Sequence, residues 1–149
     1  MAKSFEDLFM EIQTDMIFAC MDYVKGMADK VYVYGSFEGR MISSDWFYEI
    51  NGQIVARHKT NTISSEYDVS GDNQDKCLDE LNGAIDDMID LCKEHKRLMP
   101  TEIKMVYDVK KKSLDVNYKY DNQWHDHKTK TPDDVADEWF EEVKKLKQL

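Results

Sequence analysis

The chain has 149 residues, 42% of them hydrophobic, and carries 30 acidic against 20 basic side chains, a formal net charge of -10. That length suits one domain burying ~70% of the surface its unfolded form would expose, so no disulfide or metal staple is needed. The acidic balance argues against nucleic acid or an anionic membrane as direct partner, since each phosphate contact needs a cation, and its natural complement is a basic partner.

From Ser4 to about Met27 apolar residues recur at Phe5, Leu8, Phe9, Ile12, Met16, Ala19, Cys20, Tyr23 and Met27. This is the i, i+3, i+4 spacing of one buried helix face. Ser4 followed by Asp7 resembles a capping box, and Gly26 lies near the expected end. The opening stretch MAKSFEDLF has early acids and no long apolar run, so it does not read as a signal peptide. No stretch is long enough to span a bilayer, and a cytoplasmic location is expected.

The next run, VYVYGSFEGRMISSDWFYEINGQIVARH, is dominated by aromatic and β-branched residues and predicts strands near 31–37, 41–50 and 53–57. The turns fall at Glu38-Gly39-Arg40 and at Asn51-Gly52, a pair that tolerates the positive φ of a two-residue hairpin turn. On the middle strand Ile42, Ser44, Trp46, Tyr48 and Ile50 share the more apolar face, which is expected to meet the helices. Met41 and Phe47 imply that the opposite face is partly covered too, by a partner copy, by a bound protein or by the polar loop at 59–71. That loop has Ile63, Tyr67 and Val69 as anchors and at most an irregular edge strand.

A second helix is expected from Asp72, as cap, to about His95. Leu78, Leu81, Ala84, Ile85, Met88, Leu91 and Cys92 form its buried stripe, with Asp79, Asp86, Asp87, Asp90 and Glu94 off it. Gly83 costs roughly 1 kcal/mol against alanine inside a helix and marks an expected close approach. The stretch PTEIKMVYDVKKKSLDVNYKY, 100–120, then alternates as a β-hairpin with its turn at 108–112. Ile103, Met105 and Tyr107 face the core and Glu102 and Lys104 face water, while Leu114, Val116, Tyr118 and Tyr120 line the dry side of the second strand. After a polar loop with Trp124, His125 and His127, Thr131-Pro132-Asp133-Asp134 opens a third helix with a cap, a first-turn proline and two acids at the positive dipole end. Val135, Trp139, Phe140, Val143 and Leu146 form its stripe. The order αβββαββα has no βαβ alternation, so the expected fold is α+β: a mainly antiparallel sheet of about five strands with three packed helices, one domain over residues 1–149.

Reactive chemistry is sparse. His125-Asp126-His127 places two good metal ligands around one residue in a loop, but no further ligand pair stands at a recognisable distance, so no metal and no cofactor are expected. Cys20, Cys77 and Cys92 lie on apolar stripes without a Cys-x-x-Cys spacing and read as buried free thiols. Adjacent carboxylates such as Asp86-Asp87 point about 100° apart on a helix and do not share a site. The chain has no Gly-x-Ser-x-Gly, P-loop or dinucleotide-binding glycine pattern, and no enzyme is expected.

What remains is surface. Asp79, Glu80, Asp86, Asp87 and Asp90 are the densest acidic group, joined by Asp133, Asp134 and Glu138 of the third helix. Such an array speeds encounter with a basic target, and Trp124 or Phe47, taken as exposed, would supply an aromatic anchor.

The motifs PTEIKMVYDVKKKSLDVNYKYD and TPDDVADEWFEEVKK, with YVYGSFEGR, WFYEINGQIV and LDELNGAIDDMIDLCKEHK before them, resemble the YezG-like immunity proteins. These are antitoxins that accompany secreted bacterial toxins of the LXG and related polymorphic classes. The resemblance spans nearly the whole chain and implies a protein that binds the C-terminal domain of a cognate toxin, often a nuclease, and blocks it. It assigns no contact residue, and it leaves open a homo-oligomer. The alternative reading is an acidic regulatory or scaffolding module that binds a basic cellular protein.

Overall fold

β1, Lys30–Glu38, is the centre of a five-stranded sheet ordered β3-β2-β1-β4-β5 in which every pairing is antiparallel. The computed structural model describes residues 3–148, so Met1 and Ala2 of the opening stretch lie outside the described residues, as does Leu149. The elements are α1 (Phe5–Tyr23), β1, β2 (Met41–Ile50), β3 (Gln53–Ala56), a 3-10 turn (Arg57–Thr62), α2 (Gly71–Glu94), β4 (Glu102–Asp108), β5 (Ser113–Lys119) and α3 (Pro132–Lys147). The fold is α+β and the order αβββαββα is the expected one.

Turn chemistry sets the register of the meander. Gly39 and Arg40 both adopt positive φ, 55° and 63°, as do Asn51 and Gly52 at 53° and 77°. Two successive left-handed residues match the twist of the flanking strands, so β1 folds tightly back onto β2 and β2 onto β3.

Alternation then divides the sheet into two dry faces. Val31 and Val33 of β1, Trp46, Tyr48 and Ile50 of β2, and Ile103 and Met105 of β4 pack under α1 and α2, against Met16, Cys20, Leu81, Ile85 and Met88. The α2 helix comes close at Gly35, where an added Cβ would sit 3.2 Å from Ile85 Cδ1. On the other face Tyr32, Tyr34 and Phe47 pack with Trp124, Val135, Ala136 and Trp139. Tyr32 and Phe47 stack at 4.6 Å, and the Trp139 indole stands edge-on to Phe47 at 5.1 Å. The result is a three-layer sandwich with two helices on one side of the sheet and one on the other.

The second face corrects several expectations. The apolar surface around Phe47 is covered neither by a second copy nor by the 59–71 loop but by α3 and the Trp124 loop of the same chain. Glu102, expected in water, is 1% exposed. Its side chain projects to the α3 side of β4, 3.6 Å from Lys104 Nζ and 3.8 Å from Lys119 Nζ. Burying that carboxylate is tolerable because two cations accompany it.

Other corrections are local. α1 ends at Tyr23, where Lys25 and Gly26 turn left-handed and the Gly26 N–H donates to the Met21 carbonyl at 2.9 Å, so Met27 lies outside the helix and is exposed. Ser70, not Asp72, caps α2, its hydroxyl accepting from the Asn73 N–H. Among the described residues nothing lies within 4 Å of a Cβ built at Gly83, so no close approach explains that glycine. Leu146 and Tyr120 are exposed, the latter just past the end of β5.

Because Trp139 fills the space between α3 and the sheet, Trp139→Ala is expected to lower stability by about 3–5 kcal/mol, read as a reduced urea midpoint. Thr131 closes a full capping box with Asp134, and Thr131→Ala is expected to cost only about 1 kcal/mol in the same assay.

Candidate partner-binding surface

The helical period that buries Cys77, Leu81, Ile85, Met88, Leu91 and Cys92 also turns the carboxylates of α2 outward. From Asp72 to Glu94 the helix carries eight acids and two lysines. Asp79, Glu80, Asp86, Asp87 and Asp90 are all exposed. Among the described residues no ion pair engages an acid of α2. At 100° per residue Asp72, Asp79, Asp86 and Asp90 fall within about 40° of one line, directly opposite the buried stripe and about 27 Å long.

The α3 acids are differently placed and differently engaged. Asp134 accepts from the Thr131 N–H at 2.9 Å within the capping box, and Glu138 pairs with Lys130 Nζ at 3.0 Å. Asp133 is exposed. α3 occupies the sheet face opposite α2, so the acids of the two helices do not form one flat patch.

The aromatic anchors expected at the surface are inside the protein. Phe47 is 4% and Trp124 7% exposed, and the Trp124 indole N–H donates to Ser36 Oγ at 2.9 Å. The segment that carries Trp124 is held by one buried side chain: Glu38 Oε1 accepts the backbone N–H groups of Gln123, Trp124 and His125 at 2.9, 3.1 and 3.1 Å. Three successive donors converging on a carboxylate satisfy a charge that burial would otherwise make costly.

Between α3 and the β2–β3 edge lies a cleft of about 740 Å³, lined in part by Tyr34, Asp45, Arg57, Asp133 and Asp137. β3 pairs only with Phe47–Ile50, so the outer edge of β2 before Phe47 has no neighbouring strand there. Burial raises the Asp45 carboxyl above the usual aspartate range, opposed by the Arg57 guanidinium 3.5 Å away and reinforced by Asp137 and Asp133. Arg57 in turn lies 4.3 Å over the Trp46 ring. Tyr34 Oη, Trp46 Nε1 and Arg57 Nη1 are buried there without a hydrogen-bond partner among the described residues. The cleft thus holds polar binding capacity.

A second concavity, about 500 Å³ and mainly apolar, opens beside β5 and includes Phe5, Phe9, Met10, Leu98, Tyr118 and Tyr120. Alternation alone places Tyr118 and Tyr120 on the dry side; because β5 ends the sheet, both are exposed instead.

Elsewhere the chemistry is structural. The three cysteines are buried and free, and burial pushes the Cys20 and Cys92 thiols up. His125 packs directly over Gly39, and among the described residues no group of three or more His, Cys, Asp or Glu side chains is placed to hold a metal ion. No helix among the described residues is long and apolar enough to cross a membrane.

The sequence model of the family described as Immunity protein YezG-like matches residues 6–142, from the first turn of α1 into the last turns of α3. The chain belongs to the YezG-like immunity protein family. No curated protein matches it. The YezG-like match takes in all three layers of the sandwich, so the acidic α2 face, the β5 edge and all of the cleft lining except Lys144 lie within the shared region.

The raised Asp45 carboxyl has a signed consequence. In the window from the ordinary aspartate pKa of about 3.9 up to its folded value, the unfolded chain is deprotonated there while the folded one still holds the proton. Stability contributed by this site therefore falls as pH rises through that window. Asp45→Asn is expected to remove that component of the slope, as measured by urea denaturation at a series of pH values.

Proposed function

We propose that this YezG-like protein neutralises a cognate toxin of the LXG or a related secreted class by direct binding in the cytoplasm, and that the toxin domain is a basic nuclease. The observation that carries the reading is the α2 row of exposed carboxylates, eight acids to two lysines on the helix and none in an ion pair among the described residues. Like charges at i, i+4 spacing, as at Asp86 and Asp90, destabilise a helix by a few tenths of a kcal/mol, so a row with more acids than lysines is stabilised by an external cation. A nuclease groove supplies lysines and arginines arranged for successive phosphates, and a line of carboxylates about 27 Å long presents anions to that groove. Family membership supports a toxin as partner, and the net charge of -10 supports a basic one.

Mechanistically, long-range attraction raises the encounter rate and close charge pairs then hold the complex, each coupling by ~1.5–7 kcal/mol when desolvated. The row lies opposite the buried stripe of α2, so binding requires no rearrangement of the core. Of Asp133, Asp134 and Glu138, Asp133 is the one outside both the capping box and the Lys130 pair, and it belongs to the other side of the molecule. Contact through α2 and contact through α3 are therefore separable.

The triple substitution Asp86→Lys, Asp87→Lys, Asp90→Lys is expected to weaken toxin binding at least about 100-fold, chiefly through a slower association rate, and to abolish protection of cells co-expressing the toxin. Thermal stability should be retained, since none of the three side chains is in an ion pair among the described residues. An unchanged association rate would remove α2 from the interface. Failure of the unmodified protein to rescue growth against the toxin encoded beside it would instead favour a regulatory module for a basic cellular protein.

A further inference from the structure

β5 is the terminal strand of the sheet along its whole length, and its free edge is short of the usual protections. Edge strands are ordinarily blunted by proline, bulges or lysines. Ser113–Lys119 pairs in continuous register with β4, contains no proline, and has a single lysine at its end. The Lys119 carbonyl accepts from the Thr101 N–H at 2.8 Å and so faces β4. Alternation then turns the N–H and C=O groups of Leu114, Val116 and Tyr118 outward, away from the sheet. Beside this edge lie exposed apolar side chains, with Met10 47%, Leu98 74%, Tyr118 39% and Tyr120 51% exposed, gathered around the apolar groove against α1.

We infer that this edge pairs with a second copy of the chain. Two β5 strands join antiparallel about a two-fold axis at Asn117, and the two sheets become one of ten strands. The register follows from charge and alternation. Strand partners must present side chains to the same face, and centring on Asn117 sets Asp115 of each copy opposite Lys119 of the other. The same register sets Val116 against Tyr118 and Leu114 against Tyr120, covering the exposed tyrosines with apolar neighbours. Centring on Asp115 would place two carboxylates face to face, and like charges directly opposite destabilise a pair. The outward backbone groups of Val116 and Tyr118 then bond each other, and Asn117 meets its own copy in the close, non-hydrogen-bonded position. A two-fold contact of this kind uses one patch twice, as closed dimers do. The occupied edge and the acidic row of α2 are different surfaces, so this inference does not depend on the toxin reading.

Sedimentation velocity of the full chain from about 1 to 100 µM is expected to show a reversible monomer–dimer equilibrium. Val116→Pro removes an outward N–H without touching the β4 ladder, where proline is tolerated on an edge, and should leave a folded monomer by circular dichroism. As a second measurement, Asn117→Cys copies should become disulfide-linked through that position under mild oxidation, because axial residues approach to about 4.5 Å between Cα atoms. Asp115→Cys copies should link at least tenfold more slowly. A chain that stays monomeric over the whole range overturns the proposal. So does a dimer that fails to cross-link at position 117 or one that persists in a folded Val116→Pro variant. If the chain is monomeric and Val116→Pro instead weakens binding to the toxin domain, the edge belongs to the toxin and self-pairing is wrong.

Discussion

The fold depends on burying both faces of its central hairpin. β1 sends Val31 and Val33 to one side and Tyr32 and Tyr34 to the other, and all four are buried. A sheet apolar on one face needs one layer of helices; a sheet apolar on both needs two. Two aromatic side chains on the second face, Tyr32 and Phe47, each represent apolar area whose exposure would cost on the order of 2–3 kcal/mol. α3 is thus part of the core rather than an appendage, and the tryptophan that opens its approach is consumed in the same layer. Burial pushes the Tyr32 hydroxyl up to about 12, so it stays protonated at neutral pH.

Much of this was legible in the residues. The Asn51-Gly52 turn, the period-two alternation of β2 and β4, and the Thr131-Pro132 start of α3 each carry a local physical cause, and each element formed where that cause lies. What sequence could not give was the third dimension of the layering. Phe47 and Met41 show the same apolar character in the sequence, yet Phe47 lies beneath Trp139 and Met41 is exposed. Glu102 sits at an alternation position that would be wet in a two-layer protein; on the face that carries the C-terminal layer, with Lys104 and Lys119 beside it, it is dry. Helix ends failed where a backbone motif overrode composition, as at Lys25-Gly26 and Ser70.

The acidic surface was legible as a set of residues but not as a geometry. Charge counts alone group Asp79 to Asp90 with Asp133 to Glu138, whereas the sheet stands between them. Hydrogen bonding separates them further. A carboxylate closing a capping box or holding Lys130 has already spent part of its capacity, while those along α2 have not. Family membership and electrostatics thus converge on one helix for a reason neither supplies alone.

Glu38 and Glu49 give the C-terminal layer its mechanical character. Glu38 grips the backbone at residues 123–125, ahead of α3, and Glu49 holds Lys147 at 2.9 Å at its far end. Both acids project from the central hairpin, one from each strand, so α3 is fastened at its two ends like a bar across the sheet. A segment tied only at one end frays progressively, exposing its backbone to proteases while the remainder stays folded. With both ends tied, and Trp139 between them, partial detachment releases little chain entropy before most of the layer's contacts are lost. The C-terminal third is therefore built to open together with the sheet rather than ahead of it.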